Sequence, residues 1–79
     1  MPVKLTTTKE LSRMIRFHRE YSGLSREDLS RLAGLGKTVI YDIEHGKATV
    51  KLATLMKVLA VLNIEITFQS PIMDRYAAG

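Results

Sequence analysis

The chain has 79 residues, 46% of them hydrophobic and 25% charged, which fits one globular domain rather than a disordered segment or several domains. Lys and Arg number 12 against 8 Asp and Glu, and the net charge of +4 favours polyanionic partners. With no cysteine, a disulfide framework, a thiolate metal site and a cysteine nucleophile are all excluded.

Residues 1–6 read as an N-terminal arm. They carry no continuous apolar run, so no signal peptide is expected. The longest apolar stretch, Leu52 to Leu62, is too short to span a bilayer. The chain is therefore expected to be a soluble cytoplasmic domain over 7–69 with a flexible tail over 70–79.

Thr7 or Thr8 is placed to cap a first helix, with Glu10 near its positive end. Leu11, Met14, Ile15 and His18 then recur at i, i+3, i+4, i+7, an amphipathic helix that runs to about Tyr21. Ser22-Gly23 stops it. Ser25 opens the next helix, followed by acids in its first turn, with Asp28 at the third position of a near capping box. Leu29, Leu32 and Ala33 form its apolar face, and Gly34-Leu35-Gly36 breaks it. A third helix is predicted from Lys37 to His45 with Ile40 and Ile43 buried, ended by Gly46. A fourth covers about Val50 to Leu62, with a wide apolar stripe from Leu52 through Leu55, Met56, Val58 and Leu59, and Asn63 beyond its end. The period then changes. Ile64, Ile66 and Phe68 alternate with Glu65, Thr67 and Gln69, a strand signature ended by Pro71. A lone strand with one apolar face needs a partner, and the same strand of a second copy is the simplest one. In the tail, Ile72, Met73 and Tyr76 are candidate contact residues.

Two short helices joined by a glycine-containing turn make a helix-turn-helix unit. Gly34 suits the positive φ of the turn, Ser30 is small enough for a close helix crossing, and Leu35 can plug the angle above Ile40. The second helix then presents Lys37, Thr38, Tyr41 and Asp42 on one face, whose leading end fits a major groove. Lys37 suits guanine O6 and N7, or a phosphate; Thr38 suits a base or a phosphate. Tyr41 meets a thymine methyl or a phosphate, or else packs against the preceding helix. Asp42 accepts from cytosine N4, or pairs on the helix surface with Arg31 or His45. Ser25 and Arg26 at the start of the second helix, and Lys47 and Lys51 around the Gly46 turn, read as phosphate contacts.

The runs Ile15-Arg16-x-x-Arg19, Gly23 through Leu35, and Ile40-x-x-Ile43-Glu44-x-Gly46-Lys47 resemble the Cro/C1 (XRE) family of DNA-binding domains. The likeness spans about residues 9–62. It implies an all-α, lambda-repressor-like domain that docks its third helix in the major groove of double-stranded DNA, usually as a homodimer on a palindromic operator. It also implies a partly buried ion pair between Arg19 and Glu44. Thr49-Val50-Lys51-Leu52 and the strand Ile64–Phe68, which would pair in the dimer, resemble the HipB-type antitoxins within that family. Those repress their own operon and bind a HipA-type kinase toxin. Gly36 departs from the usual Ser or Thr cap of the third helix, and Arg26 stands where many members carry Gln.

No catalytic site, cofactor or metal is expected. Gly34-Leu35-Gly36 fails the dinucleotide fingerprint, since position 39 is Val and no strand precedes it. His18 and His45 lie on different elements with no carboxylate pair near them in sequence, and His18 falls on an apolar stripe. The reading is a homodimeric repressor and antitoxin, against two alternatives: a stand-alone XRE repressor, or a protein-interaction module that kept only the fold.

Overall fold

The computed structural model describes residues 3–79; residues 1 and 2 of the expected arm lie outside the described residues. Five helices follow in order: α1 (Thr8–Tyr21), α2 (Arg26–Ala33), α3 (Lys37–Glu44), α4 (Leu52–Val61) and α5 (Met73–Ala78). Residues 3–6 have no regular secondary structure.

The helix ends follow from local chemistry. Thr7 caps α1, its Oγ1 accepting from the Glu10 N–H at 3.1 Å. Ser25 and Asp28 form a reciprocal capping box on α2: the Ser25 Oγ accepts from the Asp28 N–H, and the Asp28 carboxylate accepts from the Ser25 N–H. Asp in place of Glu therefore still closes the box. At the far end of α2, Gly34 takes φ +69° and the Leu35 N–H donates back to the Ser30 carbonyl at 2.8 Å. That is the Schellman closure, and it needs a residue that tolerates the left-handed region. Asn63 does the same after α4, at φ +57°, with the Ile64 N–H donating to the Leu59 carbonyl at 2.9 Å. Leu24, Leu35 and Ile64, each just past such a turn, fold back against the core.

Each of the first four helices contributes one fully buried side chain: Ile15, Leu29, Ile40 and Val58. Burying one such residue contributes about 1.5–3 kcal/mol. Ile43, Leu59 and Leu62 complete the buried cluster. The apolar stripe is narrower than expected. Leu32, Leu52 and Met56 stand exposed, because the buried faces of α2 and α4 centre on Leu29 and Ser30 and on Val58 and Leu59.

The expected strand over 64–68 is absent among the described residues; residues 64–70 carry no regular secondary structure, so the fold is helical throughout. A strand is a ladder with a second backbone, and no described part of this chain runs beside Ile64–Phe68 as one. The tail contains a short helix, α5, with no side-chain cap at its start.

Candidate nucleic-acid interface

The interface is built on α3, and α3 is held by one carboxylate. The Glu44 side chain is fully buried. Its Oε2 accepts from Arg19 Nε at 2.5 Å, and its Oε1 accepts from Arg19 Nη2 at 3.1 Å and from Arg26 Nε at 3.0 Å. Arg19 Nη1 also donates to the Leu24 carbonyl at 2.8 Å. One carboxylate thus ties α1, α2 and α3 together. Burial pushes the Glu44 pKa up, but hydrogen bonds and charge from Arg19 and Arg26 outweigh it, and the net shift is downward. The same contact, led by the Glu44 hydrogen bond, raises the Arg19 pKa. The Arg19–Glu44 pair implied by the family resemblance is therefore present, and Arg26 joins it.

A second tie went unread in the sequence. Ser12 on α1 is buried and donates to the Ile43 carbonyl at 2.6 Å, near the end of α3. Its signal was its register: Ser12, Ile15 and Arg19 fall at i, i+3, i+7 on one face of α1.

With its inner face fixed this way, α3 turns Lys37, Thr38 and Tyr41 to solvent. Tyr41 is 50% exposed, and its ring is close to two flat groups. The Arg26 guanidinium sits 5.4 Å from the ring centroid on one hand. The His45 imidazole stacks at 3.7 Å with an interplanar angle of 18°. The His45 Nδ1–H donates to the Tyr41 carbonyl at 2.7 Å, since a carbonyl can only accept. Tyr41 thus does pack against α2, through Arg26.

Asp42 is half-buried and pairs with Lys47, 3.5 Å from its Nζ. The expected partners are otherwise engaged: Arg31 pairs with Asp28 and His45 with the Tyr41 carbonyl. The Gly46 turn brings Lys47 back, with its N–H donating to the Asp42 carbonyl at 3.0 Å. Ser25 is committed as an acceptor in its capping box, which leaves its hydroxyl proton to donate. Lys51 is exposed at the start of α4. Gly36 precedes α3 with no side-chain cap. Arg26 and Tyr41 are thus brought together with the α3 surface, whereas Ile64 and Ile66 belong to a different surface and Phe68 stands in solvent.

That other surface is an apolar groove of about 590 Å³ between α1, α4, residues 3–5 and the segment after α4. Leu11, Met14, Leu55 and Leu59 line it, with Ile64 and Ile66 on one wall. His18 borders it, its Nδ1–H donating to the Met14 carbonyl at 2.7 Å.

The helix-turn-helix family HTH_3 matches residues 15–69, well over half of the chain. The chain belongs to this family. It is a helix-turn-helix transcriptional regulator of the XRE type, a family that acts by binding DNA. An uncharacterized HTH-type transcriptional regulator, y4mF, of Sinorhizobium fredii (strain NBRC 101917 / NGR234) is 28% identical over 71 residues, covering 90% of this chain and 93% of its own. Among solved structures, a chain of the HipA-HipB-O2-O3 complex superimposes with a TM-score of 0.80 at 20% identity, covering 89% of this chain and 99% of that one. The restriction-modification controller protein C.AhdI from Aeromonas hydrophila matches with a TM-score of 0.68 at 31% identity, over 73% of this chain and 88% of its own. The HipB likeness shows the fold alone; the HTH_3 match carries the membership. No helix among the described residues is long and apolar enough to cross a membrane.

Proposed function

We propose that this regulator is a homodimeric, sequence-specific repressor in which each copy lays residues 37–42 in a major groove. Lys37 and Thr38 meet base edges at the leading end of α3. Tyr41 follows one turn later. Arg26, Lys47 and Lys51 neutralise backbone phosphates beside them, and the Ser25 hydroxyl donates a hydrogen bond to one. Two copies related by a two-fold axis read a palindromic operator with half-sites about one helical turn, or a multiple of it, apart. Residues 64–68, irregular in the single chain, pair as strands with the same residues of the second copy.

The observation that carries this reading is the buried Glu44 carboxylate, held by two arginines from α1 and α2. It fixes the inner face of α3 and leaves the basic, polar edge outward. Within this reading the regulator acts as an antitoxin that represses its own operon and binds a HipA-like kinase toxin. The support is the breadth of the HipB likeness, which reaches the segment after α4 and covers nearly all of that chain. A stand-alone repressor without a toxin is the second reading. The controller protein favours it, being more identical to this chain than HipB is.

Duplex DNA from upstream of the protein's own reading frame tests the first step. Wild type is expected to bind it, and Lys37→Ala with Thr38→Ala is expected to lose tenfold or more in affinity while melting at the same temperature. Unchanged binding by the double variant removes α3 as the reading element, and a protein-interaction role takes its place. Co-expression with an adjacent kinase-like reading frame tests the second step: the antitoxin forms a stable complex with that product and relieves its toxicity, whereas a stand-alone repressor does neither.

A further inference from the structure

His45 follows Glu44 at the end of α3 and is exposed. Lys37, Tyr41 and His45 recur at i, i+4, i+8 and form one ridge on the outward side of the helix, beside Thr38. His45 therefore belongs to the same face as the side chains assigned to DNA.

Helix capping does not account for how its ring is held. The Tyr41 carbonyl is one of the last in α3, and the His45 backbone N–H already donates to it at 3.0 Å. The imidazole Nδ1–H donates to the same oxygen at 2.7 Å, a bond that the carbonyl does not need for its own satisfaction. What this second bond does is fix the imidazole, which stacks on the Tyr41 ring at 3.7 Å and 18°. The Arg26 guanidinium, 5.4 Å from the ring centroid, is fixed in turn through its Nε, which donates to the buried Glu44 carboxylate at 3.0 Å.

An exposed side chain that becomes ordered only on binding weakens the complex by that ordering, and one held beforehand does not. Both neighbours of Tyr41 are themselves tied down, so the ring is restrained before DNA arrives. A phosphate beside it would be taken by the Arg26 guanidinium, because charge-assisted hydrogen bonds are about twice as strong as neutral ones. For the ring itself the major groove offers one apolar partner, the 5-methyl group of thymine.

We infer that His45 is a positioning residue: its imidazole, tied to the Tyr41 carbonyl, holds the Tyr41 ring where it meets the 5-methyl group of one thymine in each half-site. This inference rests on the DNA-reading α3 proposed above and adds His45 and the group that Tyr41 meets.

The probe is the duplex that the full-length protein selects from a random pool, with each thymine replaced singly by deoxyuridine, which removes only the methyl group. Wild type is expected to lose about fourfold in affinity at one thymine per half-site, as for one methyl group taken out of water. Tyr41→Ala and His45→Ala are both expected to become indifferent to that replacement, with the melting temperature kept. His45→Phe, which keeps a flat ring, is expected to restore the sensitivity, and His45→Gln, which keeps only a polar group, is not. A His45→Ala protein that still loses fourfold at that thymine overturns the positioning role. Restoration by His45→Gln, or none by His45→Phe, overturns the stack as its cause. A wild type that selects a duplex but is indifferent to deoxyuridine at every thymine overturns the methyl contact and leaves α3 as the reading element. A wild type that selects no duplex overturns that reading itself.

Discussion

From Thr7 to Lys47 the chain answers most of its own polar groups. α1 and α2 are capped by Thr7 and Ser25, Glu44 takes three hydrogen bonds from two arginines, and Ser12 reaches across to the Ile43 carbonyl. From Leu52 onward α4 and α5 begin without side-chain caps, Phe68, Ile72 and Tyr76 stand in solvent, and an apolar groove lies open between α1, α4 and residues 64–67. The first region is specified within one chain. Both leave apolar side chains in solvent, Phe17, Tyr21 and Leu32 in the first and Phe68, Ile72 and Tyr76 in the second, but the second has far fewer polar ties to the rest of the chain. The polar ties that hold α3 thus lie within one chain, whereas the apolar groove beside α4 stands open.

Removing Glu44 breaks this contrast most severely. Glu44→Ala leaves the buried Arg19 without its anion, and loss of one partner of a buried pair costs about 3–5 kcal/mol, read as a lower midpoint in urea. Acid probes the same group. Because the folded Glu44 pKa lies below its ordinary value near 4.5, its contribution is present above that value and is lost as the pH falls through the folded pKa. Stability is expected to be level from pH 7 to about 5 and to decline below, with Glu44→Gln flattening that decline; a Glu44→Gln curve parallel to wild type contradicts the assignment.

The α3 surface comes next. Lys37→Ala or Thr38→Ala is expected to cost about 1–3 kcal/mol of operator discrimination if the side chain meets a base edge, with the melting temperature unchanged. Lys47→Ala or Lys51→Ala is expected to weaken binding to all sequences alike and to lower the log–log salt slope by about one each. A Lys47→Ala effect confined to one base position would make Lys47 a reader instead. The smallest effect belongs to Gly36, whose backbone is extended at φ −67° and ψ 155° and where an added Cβ meets open space. Gly36→Ser supplies the missing cap and is expected to stabilise the fold by a few tenths of a kcal/mol in a thermal melt.

The helix-turn-helix region was legible because its signals are local. Thr7 with Glu10, Ser25 with Asp28, and Gly34 are read within a few residues of one another, and the structure uses each of them. Arg26 on Glu44 was not legible, being a contact across 18 residues. Periodicity places Arg26 at the start of a helix and says nothing of what lies opposite. Asp42 was given the wrong partners because a helical wheel ignores the Gly46 turn that folds Lys47 back onto it. α5 escaped notice because six residues without a cap leave no pattern to read. The alternation over 64–68 is real in the sequence, yet alternation describes a face, and a ladder requires a second strand.

The central claim is that α3 reads DNA from a two-fold assembly. Selection of bound sequences from a random duplex pool by the full-length protein tests it most directly. The account predicts enrichment of one inverted repeat with half-sites about 10 base pairs apart or a multiple of that, abolished by Lys37→Ala with Thr38→Ala. Enrichment of a single unrepeated site, or of no sequence at all, would contradict it.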